Sequence, residues 1–276
     1  MDAYVRSSAA FAGLTAAGRR GAWEGFKSLW GWGLDKPASE NAMHGEDAKI
    51  IFLHIPKTAG TSLRQIVKKE YPRGQCLFIY SHTPAYLAAA RRKLPRARAV
   101  YGHISYGIHE ILGVEARYVT FLRHPVRRVL SFYNHQARKR DAEFHRQVKA
   151  GMSLVEMLES GICHQVNNHM VRIISGYQGT APVYDTAVLE KAAANMAQHF
   201  LFVGVVEHLA TSVKRLGRRL EFRKRHRIPR RNVNLNPLSR LIDERTRAAI
   251  EHHNRLDLML YEQVERSFRE AADQNP

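Results

Sequence analysis

The sequence predicts an α/β fold: a central parallel sheet flanked by helices, with a mostly helical C-terminal third. Three observations predict it. Short apolar runs alternate with stretches of helical spacing from Lys49 to Val206, the pattern of βαβ units. The runs are continuously apolar rather than alternating, as in strands covered on both faces. From Glu207 onward the spacing is mostly helical.

The elements follow in order. Ile50-Ile51-Phe52-Leu53 reads as the first buried strand. Thr61 to Lys69 reads as a helix whose stripe is Leu63, Ile66 and Val67. Cys76 to Tyr80 is the second strand, and Pro84 to Lys93 a helix with proline at its start. Ala99 to Tyr101, Tyr118 to Leu122 and Phe200 to Val206 are the third, fourth and fifth strands. Pro125 to Arg140, Leu154 to Ser160 and Asp185 to Gln198 read as helices. No internal repeat is visible. Residues 49–276 form one domain in this reading.

Residues 1–48 read differently. They hold five Lys/Arg and six Asp/Glu, a net of −1, so the other 228 residues carry about +19. Trp23, Phe26 and Trp30 fall at i, i+3 and i+7, a short amphipathic helix that either docks on the main domain or lies on a membrane surface. Gly, Pro, Ser and Asn gather from Gly33 to Gly45 as a linker.

Composition narrows the function. With 276 residues, 45% of them hydrophobic, the chain has ample core, and 25% charged with 9% aromatic residues excludes wholesale disorder. The longest apolar run, Phe200 to Val206, contains Gly204 and is far below the ~20 residues of a membrane span. Two cysteines, Cys76 and Cys163, exclude a disulfide scaffold and cannot alone build a structural zinc site. They permit a reducing compartment, so the expected location is cytoplasmic or peripheral to a membrane. A net charge of +18 and a pI near 10.2 favour an anionic partner.

Two segments carry the chemistry. In His54-Ile-Pro-Lys57-Thr58-Ala59-Gly60-Thr61-Ser62-Leu63 an apolar strand runs into a tight turn that opens a helix. The first amides of a helix lack partners and point at the positive end of its dipole, so such a turn attracts phosphate. Lys57 adds a full charge, Gly60 allows close backbone approach, and Thr58, Thr61 and Ser62 add hydroxyls. The turn is P-loop-like, yet its lysine precedes the glycine instead of following it. The strand ending at Leu122 meets Arg123, where a nucleotide hydrolase places a magnesium-binding aspartate. In Arg123-His-Pro125-Val-Arg127-Arg128-Val-Leu-Ser131-Phe-Tyr133, Val126, Val129, Leu130 and Tyr133 form an apolar stripe. Ser131 falls off the stripe beside Arg127 and Arg128, so a hydroxyl and guanidinium groups share a polar face suited to a phosphate monoester.

At these segments the chain resembles the sulfotransferases that use 3′-phosphoadenosine 5′-phosphosulfate (PAPS). It is most similar to the branch containing heparan sulfate 2-O-sulfotransferase and other membrane-associated carbohydrate sulfotransferases. HIPKTAGTSL at 54–63 resembles the family's 5′-phosphosulfate loop and RHPVRRVLSFY at 123–133 its 3′-phosphate segment. Tyr101-Gly-His103-Ile-Ser, the stretch around Glu207, and Asn254-Arg-Leu-Asp257 through Tyr261 are weaker matches in the family's order. The resemblance implies that Lys57 binds the 5′-phosphosulfate and stabilises charge as the sulfuryl group leaves. It gives Thr58, Ala59, Gly60, Thr61 and Ser62 to the same phosphate, and Arg123 and Ser131 to the 3′-phosphate of PAPS and of its product PAP. His103 would be the general base, and no metal or nucleic acid is implied. The acceptor would be a hydroxyl of a carbohydrate or glycolipid, anionic ones included.

Several alternatives stand beside this reading. His82, His109 and Glu110 compete with His103 for the role of base, while His54, inside the phosphate-loop strand, reads as a packed or supporting residue. Cys163 and His164 lack the companions of a metal or thiol site. Lys214 to Arg231 holds ten Lys/Arg and one Glu, and Arg91 to Arg98 five basic residues. Either stretch suits an electrostatic funnel or an acidic glycan, and Arg231 resembles a residue of the family's late cofactor loop. A nucleotide kinase or a non-catalytic polyanion binder are the competing functions.

Overall fold

The computed structural model describes residues 48–224, 226 and 242–273. The tryptophan-bearing leader helix, its linker and Arg231 lie outside the described residues.

Five parallel strands form the sheet: β1 (Lys49–Leu53), β2 (Cys76–Ile79), β3 (Ala99–Gly102), β4 (Ala116–Leu122) and β5 (Phe200–Val205). Their order is β2-β3-β1-β4-β5. The chain leaves β1 in one direction to build β2 and β3, then returns to its other side for β4 and β5. The strand order therefore reverses at β1, and open α/β sheets bind ligands outside the carboxyl ends at such a point. In register, Leu53 lies opposite Gly102 and Phe52 opposite Val119. The carboxyl ends of the three central strands thus meet along one edge.

Helix α1 (Gly60–Glu70) follows β1, α2 (Pro84–Lys93) follows β2, and α3 (Ile108–Leu112) follows β3. After β4 come α4 (Pro125–Arg138), α5 (His145–Lys149), α6 (Leu154–Glu159), α7 (His169–Ser175) and α8 (Thr186–His199). After β5 come α9 (Leu209–Arg219), α10 (Glu244–His253) and α11 (Arg255–Asp273). β4 begins two residues before the apolar run, because Ala116 and Arg117 already pair with Lys49 and Ile50.

Side chains alternate across the sheet. Ile50, Phe52, Tyr101, Val119, Phe121 and Phe202 pack with Leu63, Ile66 and Val67 of α1 and with Val213 and Leu216 of α9. Burying each large apolar side chain contributes about 1.5–3 kcal/mol. A second core joins α4 to α6 and α10 through Val129, Phe132, Met157, Leu158 and Ile250. Among the described residues no helix is long and apolar enough to cross a membrane.

Candidate active site

The turn after β1 is built from strain and missing caps. Lys57 and Ala59 hold φ of 72° and 63°, the left-handed region that costs a non-glycine residue about 1–3 kcal/mol. Ala59 is the N-cap of α1 and supplies no capping side chain. Within the turn the Thr58 amide donates to the Ile55 carbonyl, and the Ser62 and Leu63 amides to that of Ala59. The amides of Gly60 and Thr61 precede the first intrahelical bond and are directed out of the helix.

Two expectations gain detail. Thr58 is buried, and its Oγ1 donates to the Ile55 carbonyl at 2.8 Å. Its one proton holds the turn's shape rather than facing a ligand. Gly60 has a further reason for being glycine besides phosphate approach. A Cβ there would stand 1.8 Å from His54 Nε2, so the imidazole occupies the space a side chain would need. The Gly60 carbonyl accepts from the Tyr101 hydroxyl at 2.8 Å, which ties the start of α1 to β3. Ser62 is buried and Thr61 exposed on the first turn.

Arg123 stands at the tip of β4, and its Nη1 donates to the Lys57 carbonyl at 3.2 Å. The two segments therefore meet. The Lys57 ammonium is held below the usual lysine range by burial, then by Arg123, Arg138 and Lys139. His135 in turn is held low by burial and by Lys57. Ser131, His135 and Arg138 recur at helical spacing on one face of α4; His135 and Arg138 feel the charge of Lys57, and Ser131 is half-buried. The cluster Arg138, Lys139 and His135 escapes sequence reasoning, because only the packing of α4 brings its carboxyl end back to Lys57.

Arg128 is not on that face. It is fully buried, with Nη2 donating to the Gln165 carbonyl at 2.7 Å and with Asp257 as its counter-charge. The shared polar face expected of Arg127, Arg128 and Ser131 loses its second guanidinium to the interior. Arg127 stays exposed, 4.0 Å from Glu207 Oε1. Glu207 also accepts from the His124 amide at 3.2 Å and from the Tyr261 hydroxyl at 3.0 Å. The weaker sequence matches around Glu207, Asp257 and Tyr261 are therefore braces behind α4.

His103 follows β3 directly, at the carboxyl edge. Its ring lies 4.7 Å from that of His54 and 5.3 Å, edge-on, from that of Tyr80. Desolvation by these neighbours, then His82, lowers its pKa below the ordinary histidine value. The ring is therefore neutral at pH 7 and has a free lone pair, as a general base needs. His109 is no alternative, since Nδ1 lies 2.7 Å from the Tyr118 hydroxyl in a ring cluster with Tyr106 and His199. Tyr118 pairs with Ile51, two residues back from the end of β1, and Glu110 is exposed on α3 beside His109. Cys163 is buried, with a thiol pKa pushed up to about 11, so it is no thiolate nucleophile. Among the described residues no group of three or more His, Cys, Asp or Glu side chains is placed to hold a metal ion.

A strained cationic turn, a strand-tip arginine and a neutral histidine thus lie on one sheet edge. The profile of the sulfotransferase family matches residues 40–269, so the chain belongs to that family. It is a sulfotransferase, with PAPS as donor. No curated protein matches the chain significantly in sequence. Among solved structures it is similar to mouse sulfotransferase SULT7A1 complexed with PAP, at 10% identity and a TM-score of 0.46, over 75% of this chain and 83% of that one.

Proposed function

We propose that this enzyme transfers the sulfuryl group to a hydroxyl of a carbohydrate or glycolipid, with His103 as general base and Lys57 stabilising the leaving phosphate. The Arg123 bond to the Lys57 carbonyl supports it most, because two anion-binding segments then share one edge with a neutral histidine.

The residues fit the donor. The uncapped start of α1 offers the Gly60 and Thr61 amides, with Ala59 at the cap and Thr61 and Ser62 on the first turn. Arg123, with a buried Nε that has no protein partner, and Ser131 suit the 3′-phosphate. Bound there, PAPS supplies an electrophilic sulfuryl group carried on a phosphate. Lys57 is destabilised as a cation by burial and by Arg123, so it gains most when an anion arrives. It neutralises charge that grows on the leaving oxygen, an interaction that strengthens in the transition state. His103 takes the acceptor's proton, a step worth about 10²–10⁴-fold. Positioning supplies the rest, as in phosphoryl transfer. The surplus of 43 Lys/Arg over 25 Asp/Glu favours acceptors that carry acidic groups.

The test has two arms. Calorimetric titration should give tighter binding of PAP than of ATP, unaltered by magnesium. ATP binding that is tighter and needs magnesium would overturn the donor assignment to these residues. Transfer of labelled sulfate should then be measured to desulfated heparin, chondroitin, galactosylceramide vesicles and a simple phenol. Transfer to a saccharide that is lost in His103→Ala, with PAP affinity kept, is the expected result. Preference for the phenol would overturn the acceptor class.

A further inference from the structure

We propose that His54 is a positioning residue for His103: wedged against Gly60, its imidazole fixes the ring orientation and tautomer that His103 presents to the acceptor hydroxyl. This rests on the proposed role of His103 as base.

The register dictates the contact. Leu53 pairs with Gly102, and the ladder runs one step further through the His54 amide, which donates to the Gly102 carbonyl at 2.9 Å. His54 and His103 are therefore neighbours across two parallel strands, on the same face as Phe52 and Tyr101. Their ring centroids lie 4.7 Å apart. His54 is also stacked on Tyr101 at 5.5 Å and fills the space above Gly60. It has little room to turn.

Neither ring nitrogen of His54 has a protein partner, although both are buried. A buried polar atom left unpaired is costly and calls for an explanation. Burial, then the neighbouring His103 and Lys57, drives the His54 pKa to about 3. The ring is neutral wherever the enzyme works, so it has one N–H and one lone pair to offer. A half-turn of the His103 imidazole about its last torsion exchanges carbon for nitrogen at the contact, and apo catalytic contacts commonly tighten only with substrate bound. With its lone pair turned to His103, His54 accepts the His103 N–H as the contact tightens, which selects the tautomer whose other nitrogen keeps its lone pair for the acceptor. The other groups facing His103 are Tyr80 edge-on, His82 and, more remotely, the buried His169 of α7. None of them is locked from two sides as His54 is. The same imidazole touches the phosphate-type turn at Gly60, so His54 couples the donor loop to the base.

His54→Phe keeps a flat ring against Gly60 and Tyr101 but removes both nitrogens. It should bind PAP within about twofold of wild type and keep its thermal midpoint, while kcat for the saccharide acceptor falls about 10–100-fold, part of what a general base supplies. Nitrogen-resolved NMR of the histidine rings, assigned with His103→Asn, should show one dominant His103 tautomer in the wild type and a mixture in His54→Phe. Gly60→Ala should expel the imidazole and lower kcat. The double variant His54→Ala/Gly60→Ala gives the new methyl its space, so stability should recover while kcat does not. Unchanged kcat and tautomer in His54→Phe, or wild-type kcat in the double variant, would overturn the proposal. Turnover surviving His103→Ala would remove the base itself. Turnover lost in His103→Ala but kept in His54→Phe would overturn the positioning role alone.

Discussion

The donor edge of the sheet and the junction of α7 with α11 treat polar groups in opposite ways. At the junction the ends of both helices are capped by side chains, although both ring nitrogens of His169 are buried without a partner. Asp257 accepts from the amides of Met170 and Val171 at 3.0 and 2.8 Å and so caps α7. Asn168 returns the favour, its Oδ1 accepting from the amides of Leu256 and Asp257 at the start of α11. Asn254 accepts from the Asn168 amide and donates to the Val166 carbonyl. Arg172 donates to Asn167 and to the carbonyls of Gly179 and Ala181. At the donor edge, α1 starts without a cap, two residues sit at positive φ, and His54 and Arg123 bury nitrogens that meet no protein atom. Away from that edge α2, α6, α8 and α10 are capped by Thr83, Ser153, Asp185 and Asp243. The contrast teaches where this fold stores its stability and where it spends it. The phosphate-type turn keeps its first helical amides uncapped, while Asp257, Asn168 and Asn254 cap and tie the helices behind it, although Nε and Nη1 of Arg128 and the ring nitrogens of His169 there also lack hydrogen-bond partners.

Acid should widen that contrast most. His54 is held at about 3 when folded and near 6.5 when unfolded, so the unfolded chain binds the extra proton first. Its contribution is complete above pH 6.5 and is lost progressively as pH falls toward 3. At about 1.4 kcal/mol per pH unit this reaches on the order of 4–5 kcal/mol. His169, buried and also held well below 6.5, acts with the same sign. Urea unfolding between pH 7 and 4 should show a slope shallower by about one proton in His54→Phe. Equal slopes would mean that His54 is not desolvated. For catalysis the acid limb of kcat/KM should lie below 6.5, because His103 is lowered in the same direction.

Cutting the satisfied network should destabilise without touching chemistry. Asp257→Ala uncaps α7 and strips Arg128 of its counter-charge. Leaving the buried Met170 and Val171 amides without an acceptor costs about 1–3 kcal/mol each. The denaturant midpoint should fall accordingly, while PAP affinity of the folded fraction stays near wild type. A stability loss below about 1 kcal/mol would mean that the junction is not the brace it resembles.

The reverse is expected at the donor edge. Lys57→Ala removes a charge that burial and Arg123 already disfavour. Turnover should drop about 10²–10³-fold, the usual loss for one transition-state donor, with stability unchanged or raised. A stability loss matching that of Asp257→Ala would erase the distinction between the two regions.

The strands are legible in the sequence because buried parallel strands are short, continuously apolar runs, as at 50–53, 118–122 and 200–205. The turn at Lys57 to Ser62 is legible because its residue types do local work. Long-range pairing is not legible. Arg128 sits among residues that favour the polar face, and the groups that meet it in the interior, the Gln165 carbonyl and the charge of Asp257, lie far along the chain. The His54 contact with His103 depends on which strands pair and in what register, which neither segment encodes alone. The short helices Ile108–Leu112 and His145–Lys149 are too brief to show a period.

The smallest effect bears most directly on why the donor edge is strained. Ala59 caps α1 in the left-handed region at φ 63°, where a methyl side chain costs about 1 kcal/mol or more and glycine nothing. If the strain is only a cost, Ala59→Gly should stabilise the protein by about 1 kcal/mol and leave donor affinity alone. The larger freedom of glycine in the unfolded chain offsets part of that gain. If the strain preorganises the amides, the same change should weaken PAP binding severalfold, because the turn must then be ordered when the donor arrives. Calorimetry with PAP beside a thermal melt separates the two. A gain in midpoint together with a loss in affinity is the expected result, since the uncapped start of α1 and the two left-handed residues occur in the same turn.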